Sequence, residues 1–162
     1  MNLRSLGVAL MLVVLLALHF TLRPLLDWRA GVDFVVIATL VVAIRVRPGA
    51  AALVGFALGL ATDAMAPTSL GAGTLAMTLI GFTASRLKGA FFADDLMLNA
   101  IFVFGGKTLF DLIYLLAEGR LGGMDLLWQL LLWTPLSALS TAIVGLMVLA
   151  LLRPTPEQRR SL

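Results

Sequence analysis

Apolar residues run along the chain in six stretches, each closed by a short polar or proline- and glycine-marked break, and that rhythm predicts six helices. The stretches lie at about 6–22, 30–46, 50–65, 70–87, 96–117 and 126–152. The first four are close to the roughly 17 to 20 residues a helix needs to cross a hydrocarbon slab about 30 Å thick, and the last two are longer, the sixth long enough to tilt. The second stretch is rich in Val and Ile, a composition that reads as strand in water. A lone strand in lipid leaves its backbone polar groups without partners, so helix is the expected state there.

The breaks carry their own signals. Arg23, Pro24, Asp27, Trp28 and Arg29 form the first connector, with Trp28 suited to the headgroup level. Arg45, Arg47, Pro48 and Gly49 make a tight basic turn, and Pro48 fits the first turn of helix three, where its missing N–H costs nothing. Ala66 to Ser69 leads into helix four, for which Thr68 or Ser69 is the expected N-cap. After Phe91 and Phe92, the acids Asp94 and Asp95 sit favourably at the start of helix five. Glu118 to Asp125 forms the next loop, and Pro135 is expected to kink helix six. The first stretch follows Arg4 as a signal peptide would, but it lacks a small-x-small cleavage pattern and is expected to remain as helix one.

Composition adds the solvent. Of 162 residues, 60% are hydrophobic and 13% charged, and mean hydropathy is +1.03, more apolar surface than a water-soluble domain can hide. The expected fold is an all-α membrane protein, one transmembrane domain over 1–162 built as a six-transmembrane-helix bundle. With the N-terminus in the cytoplasm, Arg4, Arg45, Arg47, Arg86, Lys88, Arg153, Arg159 and Arg160 lie inside, against Arg23, Arg29 and Arg120 outside. That bias obeys the positive-inside rule and puts both termini in the cytoplasm of a bacterial inner-membrane protein.

The formal charge of +3 does not point to nucleic acid, because the basic residues are scattered at helix ends and not gathered in a patch. Cysteine is absent and histidine occurs once, which excludes disulfides, thiolate chemistry and a histidine metal cage. No phosphate loop or dinucleotide fingerprint occurs, and the methionines read as gap-filling apolar residues. No cofactor and no enzymatic activity are expected.

Candidate function therefore rests on polar residues inside the spans, each costly there without a partner or a wet cavity. Lys107 sits mid-helix in the fifth stretch with Asp111 four residues on, on the same face. Two readings stand side by side: a self-neutralising structural pair, or groups that line a cavity or clamp a polar residue of another helix or of a partner chain, with Gly105 and Gly106 allowing close approach. Ala51, Gly55, Gly59 and Asp63 form a small-residue stripe on helix three, which packs within the bundle more often than against a separate protein. Asp63 opposes the dipole at its helix end, and the amides around Ser69 to Gly71 are expected to hold it and staple the hairpin. His19 reads as a solvated or hydrogen-bonded interface residue, and Thr134, Ser137 and Thr141 as hydroxyls that bond across helices beside Pro135.

The stretch Gly55-Phe56-Ala57-Leu58-Gly59-Leu60-Ala61-Thr62-Asp63, then Ser69-Leu70-Gly71, with the basic pair Arg86 and Lys88 after the next apolar run, resembles the rod shape-determining protein MreD family. The resemblance covers almost the whole chain and carries over to Gly59, Leu60, Asp63, Leu70 and Gly71, with no catalytic residue. It implies a membrane scaffold of the bacterial elongation (rod) complex, binding the bitopic protein MreC and regulating peptidoglycan synthesis and cell shape. Its further implied partners are RodA, a penicillin-binding transpeptidase and MreB. It also implies an architecture similar to the substrate-binding subunits of energy-coupling-factor transporters. The competing expectation is a small-molecule-binding or transport subunit, with Lys107 and Asp111 facing a polar ligand.

Overall fold

A computed structural model of the chain describes residues 3–26, 31–65, 71–91, 96–119 and 127–151. These residues form six helices and no strand: α1 (Leu3–Leu26), α2 (Phe34–Ala43), α3 (Pro48–Asp63), α4 (Ala72–Phe91), α5 (Leu96–Ala117) and α6 (Gln129–Leu151). Two of them, α5 and α6, are long and apolar enough to cross a membrane. The expected caps Thr68 and Ser69, the motif residue Leu70 and the acids Asp94 and Asp95 lie outside the described residues.

Several bounds depart from the apolar runs, each for a physical reason. Helix α1 continues through Arg23 and Pro24, expected as connector, because prolonging the helix keeps more backbone groups bonded than an early loop does. Helix α2 is only ten residues long, against an expected span of 30–46. Asp33 stops it on one side, its side chain accepting from Val36 N at 3.3 Å. The other end tightens into a turn in which Arg45 N donates to Val42 O at 2.9 Å. Helix α3 begins two residues earlier than expected, with Pro48 at its first position, and α4 runs on to Phe91. The single kinked helix expected over 126–152 is instead a π-helical turn, Gln129–Trp133, followed by regular helix from Thr134. Pro135 has no N–H to give, and Thr134 N donates five residues back to Gln129 O.

Helix α2 is the axis of the bundle. Val35 to Ala43 are all buried, and the helix touches each of the other five. The Val- and Ile-rich run is thus apolar on every side because every side meets another helix. Helices α3 and α4 pack most closely, antiparallel and backbone to backbone. A Cβ added at Gly59 would lie 2.5 Å from Thr74 Cα, one at Gly81 would lie 2.5 Å from Ala51 O, and one at Gly55 would collide with the Met77 carbonyl. Without a hydrophobic drive in lipid, this close approach supplies the van der Waals attraction that holds the hairpin. Ser85 Oγ and Lys88 Nζ both donate to Val46 O at 2.7 Å, tying the α2–α3 turn to the far end of α4.

Opposed contacts run the same way throughout: His19 of α1 meets Asp33 before α2, and Gly145 of α6 meets Val103 of α5. The last turns of α1 and α3, the second half of α5 and the first turns of α2, α4 and α6 therefore gather at one end of the bundle. That end holds the candidate site.

Candidate functional site

A cavity of about 540 Å³ opens between the gathered helix ends. Five helices and the segment ahead of α2 contribute: His19 and Phe20 from α1, Gly31 to Asp33 ahead of α2, Asp63 from α3, Gly73 and Met77 from α4, Lys107, Phe110, Asp111, Tyr114 and Leu115 from α5, and Gln129, Trp133, Thr134 and Ser137 from α6. The π-turn matters here, since Gln129 and Trp133, its first and last residues, are among the lining groups.

A charge cluster forms the floor. Lys107 Nζ lies 2.5 Å from Asp111 Oδ1 on its own helix and 3.3 Å from Asp33 Oδ2 across the bundle, and its side chain is almost fully buried. It also stands 4.9 Å from the centre of the Phe110 ring, a cation–π distance. His19 Nδ1 is 3.7 Å from Asp33 Oδ1. The neighbouring backbone is held by hydroxyls of α6: Asp33 N donates to Thr141 Oγ1 at 3.2 Å, and Ser137 Oγ donates to Gly31 O at 3.1 Å. Two backbone groups of the non-helical segment ahead of α2 are thus met by side chains of α6.

Beside it, Asp63 is held by the start of α4. Its Oδ2 accepts from Gly71 N at 2.9 Å, Thr74 N at 2.8 Å and Thr74 Oγ1 at 2.7 Å, while Oδ1 accepts from Gly73 N at 3.1 Å. A carboxylate at a helix N-terminus is favourable on both hydrogen-bonding and dipole grounds. The two glycines are sterically required. Gly71 has φ +96°, a left-handed conformation, and a Cβ at Gly73 would collide with the Asp63 carboxylate itself.

The structure brings Asp63, Lys107 and Asp111 to one cavity. It places Gly55 and Gly59 elsewhere, inside the α3–α4 contact, and leaves Leu60 half exposed on the outer side of α3. Among the described residues the donors to Asp63 are Gly71, Gly73 and Thr74; Gly71 belongs to the Ser69 to Gly71 segment expected from the sequence, whose other two residues lie outside the described ones. His19, read as an interface residue, is buried. Asp33 was not among the residues singled out from the sequence, yet it joins the cap of α2, the ion pair with Lys107 and the link to α6. Its signal was available: an acidic residue three places into a run taken as membrane-spanning.

A family model described as rod shape-determining protein MreD matches residues 3–153 of the chain. No curated protein and no solved structure matches it.

Proposed function

The chain belongs to the rod shape-determining protein MreD family, and from that premise we propose that it is a non-enzymatic scaffold of the bacterial elongation complex. Membership gives it a role in rod shape determination, as a membrane protein within a shape-determining complex. The scaffold binds a single-pass, MreC-like protein and through it influences peptidoglycan synthesis, with RodA, a penicillin-binding transpeptidase and MreB as further members of the assembly. It spans the inner membrane six times with both termini in the cytoplasm, so that the cavity faces outward. The arginine and lysine distribution supports that orientation.

The observation that carries this reading is the buried charge cluster at the floor of an open cavity. Apolar side chains confer no selectivity between helices in lipid, so recognition of a partner draws on close packing and a few buried polar contacts. The small-residue stripe of α3 is already occupied by α4, and among the described residues the cavity offers a polar surface to a partner. The test is co-purification in mild detergent. Wild-type protein is expected to retain a bitopic partner, and Gln129→Trp, which narrows the cavity from an exposed position, is expected to lose it with unchanged melting temperature. Retention by the variant, or no partner on the wild type, rejects the reading.

A second reading, a small-molecule-binding or transport subunit similar in architecture to those of energy-coupling-factor transporters, draws support from the cavity volume. It falls in the roughly 300 to 1,000 Å³ range of ligand sites. Native mass spectrometry that finds a stoichiometric low-mass ligand in place of a protein partner favours it.

A further inference from the structure

At the end of the bundle opposite the cavity, one carbonyl ties two elements together: Val46 O accepts from both Ser85 Oγ and Lys88 Nζ at 2.7 Å. Val46 stands between Arg45 and Arg47 in the α2–α3 turn, and Ser85 and Lys88 stand on either side of Arg86 in α4. The junction therefore brings three exposed arginines to one edge of the α3–α4 hairpin. The described acids are elsewhere. Asp33, Asp63 and Asp111 line the cavity, and Glu118 follows the cavity end of α5. Among the described residues no carboxylate lies within ion-pair distance of Arg45, Arg47 or Arg86. Counted from the sequence, the segments that start, join or leave helices at this end add Arg4, Arg153, Arg159 and Arg160 against Asp94, Asp95 and Glu157, so basic residues outnumber acids there eight to three. Beside the arginines the surface turns apolar. On α4, Leu75, Leu79, Phe82 and Arg86 recur at helical spacing and all are exposed, so one face carries an apolar stripe that ends in a guanidinium. Arg86 Cζ lies 5.2 Å from the centre of the Phe82 ring, its head folded back over that stripe. The outer face of α3 adds the exposed Leu53 and Phe56.

We propose that this edge is a binding site for an anionic phospholipid, its phosphate held by Arg45, Arg47 and Arg86 and an acyl chain laid along Leu75, Leu79 and Phe82. A guanidinium presents paired N–H donors that match two phosphate oxygens, and its long stem lies along apolar surface while the head stays at headgroup depth. An acidic protein segment would satisfy the arginines too, but it makes no use of an apolar stripe that points into hydrocarbon. The joining of charge and stripe on one face of α4 therefore favours the lipid, whose phosphate and chains are joined in the same way. The site lies away from the cavity and needs no docked partner, so it goes beyond the scaffold reading.

The test uses the full chain in a nonionic detergent at constant ionic strength, with melting temperature as readout. The probe is dioctanoyl phosphatidylglycerol, and the controls are dioctanoyl phosphatidylcholine, glycerol 3-phosphate and hexaglutamate. The wild type is expected to show a saturable rise with phosphatidylglycerol, at a midpoint about tenfold below that of phosphatidylcholine, and no rise with glycerol 3-phosphate or hexaglutamate. In Arg86→Gln, and in Arg45→Gln combined with Arg47→Gln, the phosphatidylglycerol midpoint is expected to move to about tenfold higher concentration while the response to phosphatidylcholine stays as it was. These arginines are exposed and the Val46 carbonyl keeps both its donors, so the variants are expected to start from the wild-type melting temperature. Phe82→Ala is expected to weaken phosphatidylglycerol binding as well, because the stripe is part of the site. No rise in the wild type, equal midpoints for the two lipids, or an unshifted midpoint in the arginine variants overturns the proposal. So does equal stabilisation by glycerol 3-phosphate, which marks a free-anion site, or by hexaglutamate, which marks a site for an acidic protein segment.

Discussion

Lys107 and Asp33 lie 74 residues apart in the chain and 3.3 Å apart in space, and their contact ties the entrance of the central helix to the middle of α5. Asp111, one helical turn beyond Lys107, is the second acid that the Lys107 ammonium meets.

Removing that cation is expected to be far worse than removing either acid. Lys107→Ala removes the ammonium that two buried carboxylates share and is expected to cost about 3 to 5 kcal/mol. Asp111→Ala costs less, because Lys107 keeps Asp33. The double variant Lys107→Ala with Asp111→Ala is expected to be more stable than Lys107→Ala alone, as measured by thermal or denaturant unfolding in detergent. Additive losses would reject the shared pair.

For Asp63 the expected readout is local. Asp63→Ala strands three backbone N–H groups and a hydroxyl, at about 1 to 3 kcal/mol for each buried donor left unmet. Hydrogen exchange at Gly71, Gly73 and Thr74 should accelerate, with the amides of α5 unchanged. Asp63→Asn keeps one acceptor oxygen and should lie between wild type and alanine.

Two glycines of similar sequence setting should respond in opposite directions. Gly59→Ala pushes a methyl group against Thr74 Cα and is expected to cost about 1 to 3 kcal/mol by forcing α3 and α4 apart. Gly105→Ala meets nothing within 4 Å and is expected to be neutral or stabilising by about 0.5 to 1 kcal/mol. Melting temperatures of the two variants, measured side by side, check the contrast.

Orientation is testable because the chain contains no cysteine. Single cysteines introduced at Ser69 and at Ser161 should differ in intact cells, the first labelled by a membrane-impermeant maleimide and the second only after lysis. Labelling of both from outside would overturn the proposed topology and with it the outward-facing cavity.

Much of the helical layout was legible in the hydrophobic pattern, because lipid leaves helix as the state in which an isolated apolar run satisfies its own backbone. The pairing of Lys107 with Asp111 was legible too, since a spacing of four residues defines a shared helix face. What escaped were features set by tertiary contact. Asp33 itself was the local sign of a shorter α2, but what holds the turn is distant: Lys107 and Thr141 bond Asp33, and Ser137 bonds Gly31, each pair more than 70 residues apart. The π-turn before Pro135 likewise replaced a simple kink, because a proline leaves open which earlier carbonyl the chain will re-engage. The stripe Gly55 and Gly59 announced a close approach but could not name α4 as the neighbour.

Helix α2, ten residues rising about 15 Å, is half the thickness of a hydrocarbon slab about 30 Å deep. A segment that short falls below the length a spanning helix needs, whereas α5 and α6 meet it by length and apolarity. In α2, Val35 to Ala43 are buried against all five other helices, so the turn at Asp33 and the charge cluster beside it are held by neighbours and not by α2 alone.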